Sequence, residues 1–395
     1  MVQREYMSGN SALAFAVKLA QPDVVAVYPI TPQTSIIEKI AEFVANKEMN
    51  CELITVESEH SALAACFGAA CTGQRTFTAT ASQGLAYMSE MLPFVSGNRF
   101  PIVMAVVNRG MAAPWTIWGD HQDAISQRDT GWVQIYVENA QDALDTCLQA
   151  YRLAEDPEIL LPVMVCLDGF TVSHTDEIVE IEESQKVRSF LPPYKPTQFI
   201  DFDNPITFST GVPPDHYMEY KASQQAGMEK ALITLPQIAR EFTEHFGRSA
   251  PGLLSEYYCE DADHIIVAMG SVVGTIRAVV GKLRAQGKKV GVLAVRSYRP
   301  FPVKEIAEAL SKAKTIGVLD RDCSYGFEGA LSTDVRSVLF GVNSQCSVLS
   351  YIGGLGGRDI RPSDIERIFA DLEDAIGMAK RINTVTFIGL RERTC

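Results

Sequence analysis

Short apolar runs recur along the first half of the chain, and each is followed by a stretch with helical spacing. Residues 23–28, 51–56, 76–81, 101–107, 133–137 and 163–167 predict strands. Residues 11–19, 36–45, 59–72, 85–94 and 140–155 predict helices. The run PIVMAVV at 101–107 is continuously apolar, as expected of a strand covered on both faces. Strands alternating with helices across short connections predict a parallel, doubly wound α/β sheet. The pattern breaks at 191–220, which is Pro-rich and reads as a linker over the domain surface. A helix over 222–246 then carries the chain to a second series. There, strands are predicted at 264–268, 289–295, 315–319 and 347–352, and helices at 276–286 and 303–313. The expected organisation is one α/β domain over 1–185, a linker and connecting helix over 186–255, and a second α/β domain over 256–395.

Composition narrows the class of function. A net charge of −13 argues against nucleic acid and acidic membranes as broad partners. The opening residues MVQREYMSGNSALAF lack a signal-peptide pattern and no run of eighteen apolar residues occurs, so a cytoplasmic location is expected. The nine cysteines are scattered, with no C-x-x-C pair, which disfavours a metal or iron–sulfur site built from this chain alone. Free, mostly buried thiols are expected.

Candidate chemistry concentrates between Val56 and Leu85. Ser58 is placed to cap a helix whose first turn carries Glu59, where the helix dipole favours a negative charge. Ala62, Ala64, Ala65, Gly68, Ala69 and Ala70 strip that helix of bulk, so something packs very close to it. The following segment, Thr78-Ala79-Thr80-Ala81-Ser82-Gln83-Gly84, lines a strand end with polar groups that need partners. A tight helix–strand contact or a bound ligand would both account for the stretch.

Two other strand ends carry site-forming residues. Pro29-Ile30-Thr31-Pro32-Gln33-Thr34-Ser35 holds hydroxyls where ligands of open α/β sheets bind, although capping by Thr34 or Ser35 is the simpler use. The long loop after 107 brings Arg109, Trp115, Trp118, Asp120, His121 and Asp123. Arg109 suits a carboxylate held bidentately, or an ion pair with Asp120 or Asp123. His121 and Asp123 lack a third ligand in view for a metal. The turn Gly270–Gly274 could cradle a phosphate at a helix N-terminus, but it matches no nucleotide motif and reads as a plain tight turn; Gly353–Gly357 reads as a tight crossing or a subunit contact.

The motifs YPITPQT, TVESEHSA, FTATASQG, the Arg109 loop with IWGDHQDAISQRDTGW, SYRPFP and GGLGGRD, in this order along nearly the whole chain, resemble the α subunits of the 2-oxoacid:ferredoxin oxidoreductase family, its pyruvate-using members in particular. The resemblance implies a pyrimidine-binding domain and a C-terminal domain like those of transketolase-type thiamine diphosphate enzymes. It implies oxidative decarboxylation of pyruvate with coenzyme A to acetyl-CoA and CO2, reversibly, with electrons passing through [4Fe–4S] clusters to ferredoxin. Glu59 would hydrogen-bond the aminopyrimidine nitrogen of thiamine diphosphate and so help the ring's neighbouring nitrogen remove the thiazolium proton. Thr31 and Arg109 would contact the 2-oxoacid, and Ser82 and Gln83 would line the cofactor pocket. The Gly-Asp-Gly stretch that holds Mg²⁺ and the diphosphate is missing, so no metal ligand is expected here. That half-site and the clusters would come from β-, γ- and δ-type partner subunits. Two alternatives remain: the same chemistry on 2-oxobutyrate, a branched-chain 2-oxoacid, 2-oxoglutarate or oxalate, and a non-catalytic scaffold that keeps the fold.

Overall fold

A computed structural model describes residues 3–343, 345–376 and 385–391. Its first large sheet has seven strands. In spatial order they are Ser297–Arg299, Val133–Tyr136, Val163–Asp168, Val103–Asn108, Thr76–Thr80, Val24–Val27 and Glu52–Thr55. All neighbours in it are parallel except Ser297–Arg299, which pairs antiparallel with Val133–Tyr136. Strands Val103–Asn108 and Val163–Asp168 are buried along their whole length, as the apolar runs require.

The second sheet has six strands: Val385–Phe387, Ser347–Ile352, Thr315–Asp320, His264–Ala268, Val290–Val295 and Leu254–Tyr257. Only the last pairs antiparallel. A two-stranded antiparallel ribbon, Gln3–Ser8 with Asp176–Ile181, completes the sheets. The fold is thus two doubly wound, mostly parallel α/β units.

Apolar burial joins the units. One core cluster contains Leu63, Phe100 and Tyr136 from the first sheet's surroundings together with Val267, Leu293 and Val318 from the second. Ion pairs reinforce the junction: Arg277 pairs with Glu138, and Arg296 pairs with Asp142. The glycine run beginning at Gly353 is a tight crossing between the units. Gly356 N–H donates to Asp120 Oδ2 (2.9 Å) and Gly357 N–H to the Gly119 carbonyl (2.7 Å). A β-carbon on Gly357 would stand 2.5 Å from Trp118 Cβ, so no side chain fits there.

The connecting helix is longer than its apolar spacing predicts. It runs over Pro214–Phe246, with Pro at its first position and Asp215 in its first turn. Up to Ser223 it is exposed, so no apolar periodicity announces those turns. The 191–213 segment does lie along the first unit: Ile200 N–H donates to the Cys71 carbonyl, and Gln198 Nε2 to the carbonyls of Asn98 and Arg99. The edge strands Gln3–Ser8, Asp176–Ile181 and Ser297–Arg299 and the helices Ala330–Phe340 and Pro362–Asp374 also escape the sequence pattern.

Candidate active site

The site is assembled at the C-terminal ends of the first sheet's strands. Ser58 caps the helix Glu59–Cys71, its hydroxyl accepting from Ser61 N–H (3.1 Å). That cap places Glu59 at the first helical position, beside the dipole's positive end. Only 8% of Glu59 remains exposed, yet no described residue donates a hydrogen bond to its carboxylate. Its neighbour explains the small-residue run at the next strand end. A β-carbon built on Gly84 would come 2.7 Å from Glu59 Oε1 and 2.5 Å from Thr80 Oγ1. Thr80 Oγ1 and Gln83 Nε2, beside it, are buried polar atoms without a partner among the described residues. A buried carboxylate and the Thr80 hydroxyl around one glycine, with the Gln83 amide on the preceding residue, suit a ligand ring with its own donors and acceptors.

Arg109 follows the strand Val103–Asn108 directly. Its Nε donates to the Thr116 carbonyl (2.8 Å) and its Nη1 to the Thr31 carbonyl (2.9 Å). Trp115 lies over the guanidinium at 5.6 Å. Among the described residues no carboxylate pairs with this guanidinium, so the ion pair with Asp120 or Asp123 does not form. Burial lowers its pKa from the ordinary arginine value, with Asp123 opposing, and the group stays charged. Thr31 is exposed at the rim, joined to Arg109 through its backbone. Neither Thr34 nor Ser35 caps its helix; Ser35 Oγ instead accepts from Asn10 Nδ2 (2.8 Å), which also holds the Pro32 carbonyl.

Ser82 connects the two halves. Its hydroxyl donates to the Gly110 carbonyl (2.7 Å) and contacts Gln83 Oε1 (2.6 Å). Asp123, fully buried, binds no metal-like cluster: it accepts from Asn108, Ser82, Arg109 and Ala124. Burial raises its pKa, and the hydrogen bonds from Asn108, Ser82 and Arg109 oppose the rise. The described residues contain no group of three or more His, Cys, Asp and Glu arranged to hold a metal ion.

Beneath the loop lies a charged network that no sequence motif marks. His121 Nε2 meets Asp168 Oδ1 at 2.6 Å, and Arg321 Nη1 reaches Asp168 Oδ2 at 2.6 Å. The Gly270–Gly274 turn joins it, since Ser271 N–H (2.7 Å) and hydroxyl both donate to Asp168 Oδ2. That helix start therefore receives a carboxylate of the other unit rather than a phosphate. Burial alone would raise the pKa of Asp168; Arg321 and His121, with the hydrogen bonds from His121 and Ser271, outweigh it and hold the carboxyl far below the usual range.

Comparison with known proteins shows the family of the chain. A family model described as pyruvate flavodoxin/ferredoxin oxidoreductase, thiamine diphosphate-binding, matches residues 15–239, and one described as pyruvate:ferredoxin oxidoreductase core domain II matches residues 262–365. The chain is 49% identical to pyruvate synthase subunit PorA of Methanocaldococcus jannaschii, over 99% of each chain. It is 47% identical to subunit PorA of Pyrococcus furiosus and 46% identical to ketoisovalerate oxidoreductase subunit VorA of Pyrococcus abyssi, over 98% of each chain in both cases. Its fold is similar to that of a 2-oxoglutarate:ferredoxin oxidoreductase from Magnetococcus marinus, with a TM-score of 0.70 at 18% identity, over 94% of this chain and 65% of that one. It is also similar to a split-gene transketolase, with a TM-score of 0.55 at 12% identity over 94% of this chain and 98% of that one. With more than half of its length matched by the first model, the chain belongs to the pyruvate:ferredoxin oxidoreductase family.

Proposed function

We propose that this chain is the α subunit of a thiamine-diphosphate-dependent pyruvate:ferredoxin oxidoreductase. The overall reaction converts pyruvate and coenzyme A to acetyl-CoA, CO2 and a proton, and two ferredoxins each take up one electron. The observation that carries the reading is Glu59: a buried carboxylate, capped into place, facing Gly84 and lacking any donor of its own among the described residues. Thiamine diphosphate, when bound, supplies the electron-accepting ring on which CO2 is lost.

The chain's own residues would do the following. Glu59 would hold a proton on the pyrimidine nitrogen of the cofactor, tuning the acid–base behaviour of that ring. Ser82 and Gln83 would line the same pocket, and Gln83 Nε2, without a partner among the described residues, would donate to the ring. Arg109 would hold the substrate carboxylate, because its charge is desolvated and unpaired by any acid among the described residues. Thr31, whose carbonyl is taken by Arg109, would offer its hydroxyl to the substrate's oxygens.

Partner chains of β, γ and δ type would supply the diphosphate half-site, Mg²⁺ and the [4Fe–4S] clusters, and ferredoxin would dock on that assembly. Burial pushes the thiol pKa of Cys51 and Cys71 up to about 11 and of Cys66, Cys259 and Cys346 up to about 12, as for free buried thiols. A cytoplasmic setting goes with this reading; no described helix is long and apolar enough to cross a membrane.

A branched-chain 2-oxoacid is the second reading, favoured by the 46% identity to a ketoisovalerate oxidoreductase subunit. The complex reconstituted with its partner subunits decides between them by coenzyme A-dependent reduction of a low-potential acceptor. Pyruvate should give the highest kcat/KM among pyruvate, 2-oxobutyrate, 2-oxoisovalerate, 2-oxoglutarate and oxalate. Preference for 2-oxoisovalerate would overturn the pyruvate assignment, and turnover unaffected by Glu59→Gln would leave this chain a scaffold.

A further inference from the structure

We propose that Asp123 is a positioning residue that locks the substrate-facing and cofactor-facing halves of the site to each other through one carboxylate oxygen; the inference rests on the roles assigned above to Arg109 and Glu59. Asp123 Oδ2 accepts from the backbone N–H groups of both Ser82 (2.9 Å) and Arg109 (3.0 Å). Ser82 opens the short helix Ser82–Tyr87, which sets Gly84 against the Glu59 carboxylate. Arg109 leaves the end of the strand Val103–Asn108, and its main-chain placement aims the guanidinium at Thr31. The two segments are therefore pinned to a common atom.

The other oxygen fixes the carboxylate itself. Asp123 Oδ1 accepts from Asn108 Nδ2 (2.8 Å) and from Ala124 N–H (2.8 Å). Asn108 is locked by sheet register opposite Asp168. Ser82 adopts a left-handed backbone with φ +49°, a conformation that persists in a non-glycine residue only when its surroundings hold it. The strands leading into the two segments are paired up to Thr80 and Val106; beyond that register, and besides Asp123, the Ser82 hydroxyl ties the segments through the Gly110 carbonyl and Met111 Sδ, both in the irregular loop. Asp123 has only acceptor atoms and all its neighbours present donors, a pattern that an amide cannot reproduce.

That mismatch provides the test. In Asp123→Asn the new NH2 group opposes the Ser82 and Arg109 N–H donors when turned one way; turned the other way it opposes the Ala124 N–H and needs the Asn108 amide to flip. Adding Asn108→Asp gives the new amide an acceptor and lets its carbonyl face Ser82 and Arg109. In the complex assembled with its partner subunits, Asp123→Asn should raise the KM for pyruvate about tenfold or more. It should weaken binding of oxamate, a carboxylate that cannot be decarboxylated, by a similar factor. The Asn108→Asp/Asp123→Asn pair should bring oxamate affinity back to within about threefold of the unmodified complex.

An Asp123→Asn complex that keeps both values within twofold would overturn the proposal. So would a double variant that regains thermal stability without regaining oxamate affinity, since that marks a purely structural role. If the single variant fails to assemble, the double variant decides: recovered affinity supports the lock and lost affinity refutes it. Unchanged oxamate affinity in Arg109→Lys would instead remove the assignment of Arg109, an outcome separate from the Asp123 variants, which leave the guanidinium in place.

Discussion

Gly84 and Glu59 are in van der Waals contact across the strand-end turn, with room for a hydrogen and not for a methyl group: a β-carbon on Gly84 would lie 2.7 Å from Glu59 Oε1 and 2.8 Å from its Cγ. The contact aims a buried carboxylate. Gly84→Ala should push Glu59 or the turn aside at a cost of about 1–3 kcal/mol in stability. Displacing a reacting group by about an ångström should cut kcat about a hundredfold. Steady-state assay with thermal unfolding of the same sample checks both. Full activity in the Ala variant would show that the carboxylate needs no such aim.

Arg109 should act on substrate capture more than on the chemical step. Arg109→Lys keeps the charge and loses the planar fork, so the KM for the 2-oxoacid should rise about 10- to 100-fold, in line with about 1.5–3 kcal/mol for a charge-assisted bond. The affinity for thiamine diphosphate should stay near that of the parent. Initial-rate kinetics and cofactor titration separate the two effects.

Asp168 makes stability depend on acid pH with a definite sign. Its folded-state pKa is depressed, so its contribution is fully present above the unfolded value of about 4 and is lost as pH falls below that toward the folded value. Asp168→Asn should remove that component and flatten the stability profile below pH 5. At neutral pH it should cost about 3–5 kcal/mol, because Arg321 then remains buried without its partner. Chemical denaturation at several pH values reads both. A variant as acid-sensitive as the parent would exclude Asp168 as the source.

Strand–helix alternation was legible because apolar runs and turn residues are local signals. The helix Glu59–Cys71 could be placed from Ser58, Glu59 and the alanines alone, and the strand His264–Ala268 lies where its apolar run predicts. The ribbon Gln3–Ser8 with Asp176–Ile181 joins segments far apart in sequence, and neither strand carries a long apolar run. The exposed turns at the start of Pro214–Phe246 have no apolar face to display. In the site, strand-end and helix-start placement made Thr31, Glu59, Ser82 and Arg109 visible as candidates, and the family resemblance added Gln83. The roles of Asp123 and Asp168 were not visible, since both depend on which distant N–H groups and cations the fold brings to them. Even Arg109 shows the limit: its nearby acids suggested an ion pair, yet Asp123 spends its oxygens on backbone N–H groups and leaves the guanidinium available.

Proton exchange at the thiazolium carbon of bound thiamine diphosphate, followed in D2O by quenched-flow NMR on the assembled complex, tests the role of Glu59 most directly. With Glu59 the exchange should be fast relative to turnover. In Glu59→Gln, which preserves shape and lets the cofactor bind, it should slow by about 10²–10⁴-fold. Equal exchange rates in the two proteins, with the cofactor bound in both, would contradict the account.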